Sequence, residues 1–291
     1  MLKESLNPRF SHCISMTASG TAHEVHWTEW GTQENEHVVI CSHGLTRNGR
    51  DFDYLAKKLG VYCRLVCPDY PGRGSSPKLT NPQNYSIEQY VIDTFSIINT
   101  LQYTKLDWIG TSMGGLIGMA IASMPENPIS QMVINDVGAE IPEQSLHDLA
   151  AELTGQPDHF NSMEEVYNYF RNAYLGFGKL EDHHYRHMGD HSVWPDPDGS
   201  GYKLARDPAI ITELSKVSPS DLNLWGIWEQ IEIPTLIIRG EQSGLLLAET
   251  VDKMLKIHAG ASAVQFSDCG HAPSLMVDSQ IKKVAEWLGL S

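Results

Sequence analysis

Residues 108–115 read Trp-Ile-Gly-Thr-Ser-Met-Gly-Gly, which sets Ser112 between Gly110 and Gly114. A serine hydroxyl becomes a nucleophile only when a base takes its proton and the backbone holds it clear of its neighbours. The pentad Gly-x-Ser-x-Gly is common by chance, but here it follows an apolar run and opens a helical pattern. In that context the serine sits on a strained strand-to-helix turn, and the flanking glycines let strand and helix approach closely. Ser112 is therefore expected to be a working nucleophile rather than a polar turn residue. Its base must come from elsewhere. Asp268-Cys-Gly-His-Ala-Pro supplies His271 in a loop after a short strand pattern, late in the chain, where the order Ser, acid, His requires it. His271 is expected to accept the Ser112 proton and return it to the leaving group. The negative oxygen formed during attack needs backbone N–H donors, one from the residue after the nucleophile and one from the loop after an early strand. Met113 and, within Ser42-His-Gly-Leu, Leu45 occupy those positions.

The elements that must carry these groups alternate in type. Residues 23–31 and 37–42 have strand patterns, the first alternating and the second a short apolar run. Helical spacing covers 51–59, and 62–67 is again a strand, ending in the Gly- and Pro-rich turn 68–77. Ser86 caps a helix predicted to reach Tyr103, with Ile87, Tyr90, Val91, Phe95 and Ile98 on one stripe. A strand at 107–110 leads into Ser112, a helix at 114–124 leaves it, and a strand at 131–136 follows. Strands that are mostly apolar throughout and alternate with helices imply a mostly parallel central sheet covered on both faces, an α/β fold. Between 138 and 225 that rhythm gives way to helical patterns and loops rich in His, Asp, Trp and Tyr. It resumes with strands at 234–240 and 263–266 and helices near 248–258 and 277–288. The expected organisation is a core of residues 1–137 and 226–291 with a helical insertion at 138–225.

Taken together, His43-Gly44, the turn Asp69-Tyr-Pro-Gly-Arg-Gly-Ser-Ser, Gly110-Thr-Ser-Met-Gly-Gly and Gly270-His271 resemble an α/β-hydrolase of the single-domain esterase type. The resemblance covers almost the whole chain and implies that 138–225 is a mostly helical cap over the site. It also implies an acid three or four residues past Gly240, where this chain has Ser243 and Gly244. Some members of the superfamily carry the acid at the end of the strand that follows the nucleophile helix, the place of Asp136. Glu241, directly after Gly240, is the other candidate, and Asp136 is favoured. A histidine without such a carboxylate lacks the group that holds its tautomer. The implied activity is that of a serine hydrolase cleaving small to medium carboxylic esters through an acyl-enzyme. Hydrolysis of lactones or of carbon–carbon bonds, and ligand binding without turnover, are the alternatives on the same framework. A serine at position 112, in place of a carboxylate, argues against alkyl-enzyme chemistry of the dehalogenase and epoxide hydrolase kind.

Composition excludes several other classes. The chain of 291 residues can bury one substantial α/β core, and none of its apolar runs approaches the ~20 residues of a membrane helix. Its first ten residues have mixed charge and lack the apolar stretch of a secretory signal. Five scattered cysteines (Cys13, Cys41, Cys63, Cys67, Cys269) read as reduced thiols, so a cytoplasmic location is expected. A formal charge of −15 with no local Lys/Arg cluster disfavours nucleic acid and anionic membranes as partners. The expected partner is a small-molecule ester. Asp182, His183, His184, His187, Asp190 and His191 have a spacing that resembles metal ligation, but solvated histidines on the insertion account for it. Asp196-Pro-Asp-Gly reads as a turn rather than a calcium loop. Neither metal nor cofactor is expected. Trp194, Tyr202, Trp225 and Trp228 are read as packing residues to which no specificity is assigned.

Overall fold

The structure is a computed structural model and describes residues 7–157, 159–218 and 223–290. Residues 1–6, which carry most of the stretch read as lacking a secretory signal, residues 158 and 219–222 of the insertion, and residue 291 lie outside the described residues.

One sheet contains β1 (Arg9–Met16), β2 (Ala22–Trp30), β4 (Arg64–Asp69), β3 (His37–Ser42), β5 (Lys105–Thr111), β6 (Gln131–Asn135), β9 (Thr235–Gly240) and β10 (Ala261–Phe266), side by side in that order. β1 and β2 pair antiparallel, β2 meets β4 antiparallel, and every pairing from β4 to β10 is parallel. The central strands lose the polar–apolar alternation because both faces are covered. In β3, Val38 and Ile40 join one core with α2 (Ile87–Ile98), α3 (Met113–Ala122) and α9 (Ala248–Ile257). Val39 and Cys41 join the opposite core with α1 (Asp53–Leu59) and α10 (Asp278–Leu288). The mostly parallel α/β sheet expected from the sequence is the one observed.

Several element boundaries differ from the sequence reading. β1 has no counterpart in it: this edge strand alternates half-buried with exposed residues, and Phe10 and Ile14 face outward. No apolar run marks it, and only pairing with β2 reveals it. Ser86 does cap α2, its Oγ accepting from the Gln89 amide at 3.3 Å, but the helix stops at Ile98 rather than near Tyr103. There the Thr100 and Leu101 amides turn back to the carbonyls of Ile97 and Ile98. β6 ends at Asn135, one residue early, because Asp136 takes a left-handed φ of 58° that no strand continues.

The insertion holds α4 (Glu143–Thr154), α5 (Met163–Ala173), α6 (Asp182–His191), a hairpin of β7 (Val193–Pro195) and β8 (Tyr202–Leu204), and α7 (Ala209–Leu214). The hairpin is an addition to the expected helices. Phe160, Val166, Phe170, Tyr185 and Met188 form a small cluster that Met276, beyond β10, completes. The insertion is fastened to the loops that follow three sheet strands. Asn48 Nδ2 donates to the His191 carbonyl at 2.8 Å, Trp194 Nε1 to the Gly74 carbonyl at 3.0 Å, and the Gly270 amide to the Gly176 carbonyl at 2.7 Å. Short α8 (Trp225–Trp228) then leads back to the sheet.

Candidate active site

Ser112 is the single residue between β5 and α3 and has φ 51° and ψ −115°. A side chain in this region is strained, and it persists only where its surroundings over-determine it. Here the Ser112 amide donates to the Asn135 carbonyl at 2.9 Å, and its carbonyl accepts from the amides of Gly115 at 2.8 Å and Leu116 at 3.1 Å. The glycines of the pentad are sterically required. A β-carbon on Gly110 would lie 2.2 Å from the Gly114 carbonyl oxygen, and one on Gly114 would lie 2.0 Å from that of Ser42.

The loop after β10 brings His271 to this turn. Its Nε2 is 3.0 Å from Ser112 Oγ, and its Nδ1 is 2.8 Å from Asp136 Oδ2. Asn135 steadies the loop by donating from Nδ2 to the Pro273 carbonyl at 2.8 Å. The left-handed turn at Asp136 directs its carboxylate across the end of the sheet, where Oδ1 accepts from the Gly240 amide at 2.8 Å and Oδ2 from the Ser243 hydroxyl at 2.6 Å. The Asp136 side chain is fully buried, so these neutral donors, with His271, are what hold its charge. An ionised carboxylate only accepts, which assigns the His271 proton to Nδ1 and leaves the Nε2 lone pair facing Ser112. Ser112, His271 and Asp136 thus form one chain of hydrogen bonds. Glu241 does not join it: the residue is exposed and its amide is spent on the Phe266 carbonyl at 2.9 Å. Ser243, standing where the resemblance places an acid, instead donates its hydroxyl to the Asp136 carboxylate that arrives from β6.

Gly44 lies beside Ser112, since a β-carbon there would be 3.8 Å from Ser112 Cβ. Among the described residues the amides of Leu45 and Met113 donate to no protein acceptor, which leaves both available to an external oxygen. Met113 also opens α3, whose dipole adds positive potential at that point. A feature absent from the sequence reading is the part played by His43. This buried ring donates from Nδ1 to the Gly44 carbonyl at 2.7 Å and accepts at Nε2 from the Tyr70 amide at 3.1 Å. Burial, then the charges of Arg73 and Arg47, pulls its pKa down to about 3, so the ring stays neutral. The Gly44 carbonyl and the Leu45 N–H belong to one peptide unit, and His43 therefore fixes the direction of that donor. The side chain of Asp69 shapes the neighbouring turn by accepting from the Gly49 and Ser75 amides, both at 2.8 Å.

Above Ser112 is a cavity of about 270 Å³, lined from the core by Leu45, Ser112 and His271 and from the insertion by Leu149, Leu153 and Tyr174. Arg47 also borders it, donating from Nε to Asp51 at 2.8 Å with Tyr174 stacked 4.8 Å from its guanidinium. A strained serine between strand and helix, served by a histidine from the last sheet loop beneath a helical insertion, is the arrangement of one large family. The model of the alpha/beta hydrolase family matches residues 38–287. The chain belongs to that family.

The relatives of this alpha/beta hydrolase support the assignment along its length. It is 38% identical over 286 residues to a Cupriavidus necator protein named 3-hydroxybutyrate-oligomer hydrolase, the match covering 95% of this chain and 96% of the other. The crystal structure of an alpha/beta hydrolase from Novosphingobium aromaticivorans superposes with a TM-score of 0.84 at 25% identity, covering 98% of this chain and 99% of that one. A crystal structure from Rickettsia typhi superposes with a TM-score of 0.89 at 30% identity, covering 98% of this chain and 100% of that one. Among the described residues no helix is long and apolar enough to cross a membrane.

The remaining residues singled out in the sequence lie away from the cavity. Asp182 pairs with Arg171 and Arg186, and Asp190 accepts from Tyr167. His187 and His191 do converge with Asp53, within 4.8 Å of one another. The Arg50 guanidinium occupies the position of a cation there, 2.9 Å from Asp53 Oδ2 and 3.4 Å from His191 Nδ1. Asp196 ends in a turn, paired with Lys203 at 2.7 Å. Trp194, Trp225 and Trp228 direct their indole N–H groups to Gly74, Glu140 and Met254, and none of them, nor Tyr202, borders the cavity.

Proposed function

We propose that this alpha/beta hydrolase is a serine-type carboxylic ester hydrolase acting on short esters, with 3-hydroxybutyrate oligomers the first natural substrates to test. The observation that carries the reading is the Ser112–His271–Asp136 chain of hydrogen bonds beside two unengaged amides. Ser112 Oγ attacks the ester carbonyl carbon while its proton passes to His271 Nε2, and the carbonyl oxygen, now negative, is held by the Leu45 and Met113 amides. Collapse breaks the bond to the alcohol oxygen, which takes the proton from Nε2 and leaves an acyl-enzyme. Water then attacks the acyl carbon, again losing a proton to His271, and the acid departs as Ser112 regains its hydrogen.

The cavity of about 270 Å³ falls at the small end of the ~300–1,000 Å³ of small-molecule sites, which favours short acyl and alcohol groups. Its upper wall, drawn from residues between Ser145 and Phe177, is why residues 138–225 are assigned as a cap. The name of the Cupriavidus relative, matched over nearly all of both chains, supports hydroxy-acid oligoesters within that size. Five unpaired cysteines support a reducing cytoplasmic compartment. The test is release of acid from linear 3-hydroxybutyrate dimer and trimer and from p-nitrophenyl acetate, butyrate and octanoate, with Ser112→Ala run in parallel. Turnover that falls with chain length and vanishes in the variant is expected. Equal background rates in both proteins would overturn the reading.

A further inference from the structure

Arg73 has no measurable exposure, and among the described residues none of its hydrogen-bond acceptors is a carboxylate. A buried cation without a counter-ion is costly, and folds keep one only where uncharged dipoles replace its water and something is gained. The dipoles are evident. Nε donates to the Leu45 carbonyl at 2.8 Å, Nη1 donates to the Pro71 carbonyl at 2.8 Å and to Tyr90 Oη at 2.7 Å, and Nη2 meets Met113 Sδ at 3.6 Å. The rings of Tyr90 and Tyr85 face the guanidinium at 4.9 and 5.7 Å.

Among the described residues Leu45 and Met113 each have an amide without a protein acceptor, and this single guanidinium touches both residues, at the Leu45 carbonyl and the Met113 sulfur. The turn that delivers it is built for that purpose. Gly72 and Gly74 flank Arg73 with φ of 77° and 52°, and a β-carbon on Gly74 would lie 2.3 Å from Asp69 Oδ2. The Arg73 backbone bridges that of Arg206, and the Gly74 amide donates to the Ala205 carbonyl at 3.2 Å, so the insertion clamps the same turn.

We propose that Arg73 is the positioning residue of the oxyanion pocket, pinning the Leu45 and Met113 donors and placing a fixed positive charge behind them; this rests on the serine-hydrolase reading above. In a site that excludes water, such a charge favours the oxyanion over the neutral carbonyl. It therefore acts on the transition state and leaves ground-state binding nearly untouched.

The experiment compares wild type, Arg73→Gln and Arg73→Lys for kcat and KM on p-nitrophenyl butyrate. It also measures calorimetric affinity for butylboronic acid, which Ser112 converts into a tetrahedral anion with an oxygen in the pocket. Removing one direct oxyanion donor costs about 10²–10³ in kcat, so Arg73→Gln, one step removed, is expected to lose about 10–100-fold in kcat and the same factor in boronate affinity. KM should change by no more than about twofold, and Arg73→Lys, which keeps charge but not the fork, should fall between. A purely structural role would lower the melting temperature without a parallel loss of kcat and boronate binding. A folded Arg73→Gln with both values within about threefold of wild type overturns the proposal alone. If that variant does not fold, the same result for Arg73→Lys overturns it. Wild type that neither binds the boronate nor shows Ser112-dependent turnover overturns both readings.

Discussion

Replacing Asp136 by asparagine removes a proton acceptor while leaving the shape of the site nearly intact. Asparagine tolerates the left-handed φ of 58° at this position, so the turn itself should persist. The Gly240 amide, 2.8 Å from Oδ1, still needs an oxygen, which forces the new NH2 group into the place of Oδ2. There it faces Ser243 Oγ, which already accepts from the Leu245 and Leu246 amides at 3.2 Å each, and His271 Nδ1 at 2.8 Å, which must become the acceptor. The His271 proton moves to Nε2 and points at Ser112 Oγ, 3.0 Å away, so the lone pair that should take the serine proton is gone. In triads of this kind the wrong tautomer lowers kcat about 10⁴-fold, or about 5.5 kcal/mol in activation free energy. The assay is kcat/KM for p-nitrophenyl butyrate, paired with nitrogen NMR of His271 to read which ring nitrogen carries the proton. A folded Asp136→Asn enzyme within about tenfold of wild type would refute the tautomer argument. A larger loss in Glu241→Gln than in Asp136→Asn would move the acid to Glu241.

Ser243 Oγ lies 2.6 Å from Asp136 Oδ2, so adding Ser243→Asp to Asp136→Asn places a carboxylate within reach of His271; the double variant should regain about 10–100-fold over Asp136→Asn, and no gain would show that the β9 loop cannot serve the relay. Gly114→Ala sets a β-carbon 2.0 Å from the Ser42 carbonyl oxygen, backbone against backbone; thermal unfolding should show a loss of about 3 kcal/mol or more together with activity, and an unchanged melting curve would contradict the elbow geometry. His43 is held neutral with its pKa pulled down from 6.5 to about 3, so its contribution is present above pH 6.5 and is lost as acid protonates the unfolded chain first, at about 1.4 kcal/mol per pH unit. Asp69, pushed up from 3.8 to about 6 by burial, binds a proton in the native state first and offsets that slope between those two values. His191, pulled from 6.5 to about 3 by burial and the Arg50 charge, adds a slope of the same sign as His43, so urea unfolding should show stability falling below pH 6.5, less steeply between pH 6 and pH 3.8, and steeply again below pH 3.8; a rise between pH 6.5 and pH 6 would contradict the buried neutral rings. Burial pushes the thiols of Cys13 and Cys269 up to about 11 and about 12, and those of Cys63 and Cys67 upward as well; iodoacetamide near neutral pH should leave the native enzyme unlabelled and active, as mass spectrometry would show.

Much of the site is local chemistry and could be read from the chain alone. A serine between glycines needs only the strand before it and the helix after it, and both are apolar patterns a few residues long. His271 follows from its place after the last strand, and the parallel sheet from runs such as Val38–Cys41 that show no polar face. Edge strand β1 was not legible in this way, because its stability comes from a partner and its own residues alternate without an apolar signal. The choice between Asp136 and Glu241 was likewise open, since two carboxylates 105 positions apart can be compared only by where their backbones turn. In the folded chain a left-handed turn at Asp136 and the Ser243 hydroxyl bring that carboxylate, and not Glu241, within 2.8 Å of His271. Arg73 stood in full view in a recognised turn, yet nothing in its neighbours along the sequence says that its guanidinium runs beneath Leu45 and Met113. That placement joins segments 28 and 40 residues away through hydrogen bonds that exist only when the sheet has assembled. Sequence determines which groups are present and in what order; tertiary structure decides which of them share a buried space, because burial is what turns a proximity into an orientation.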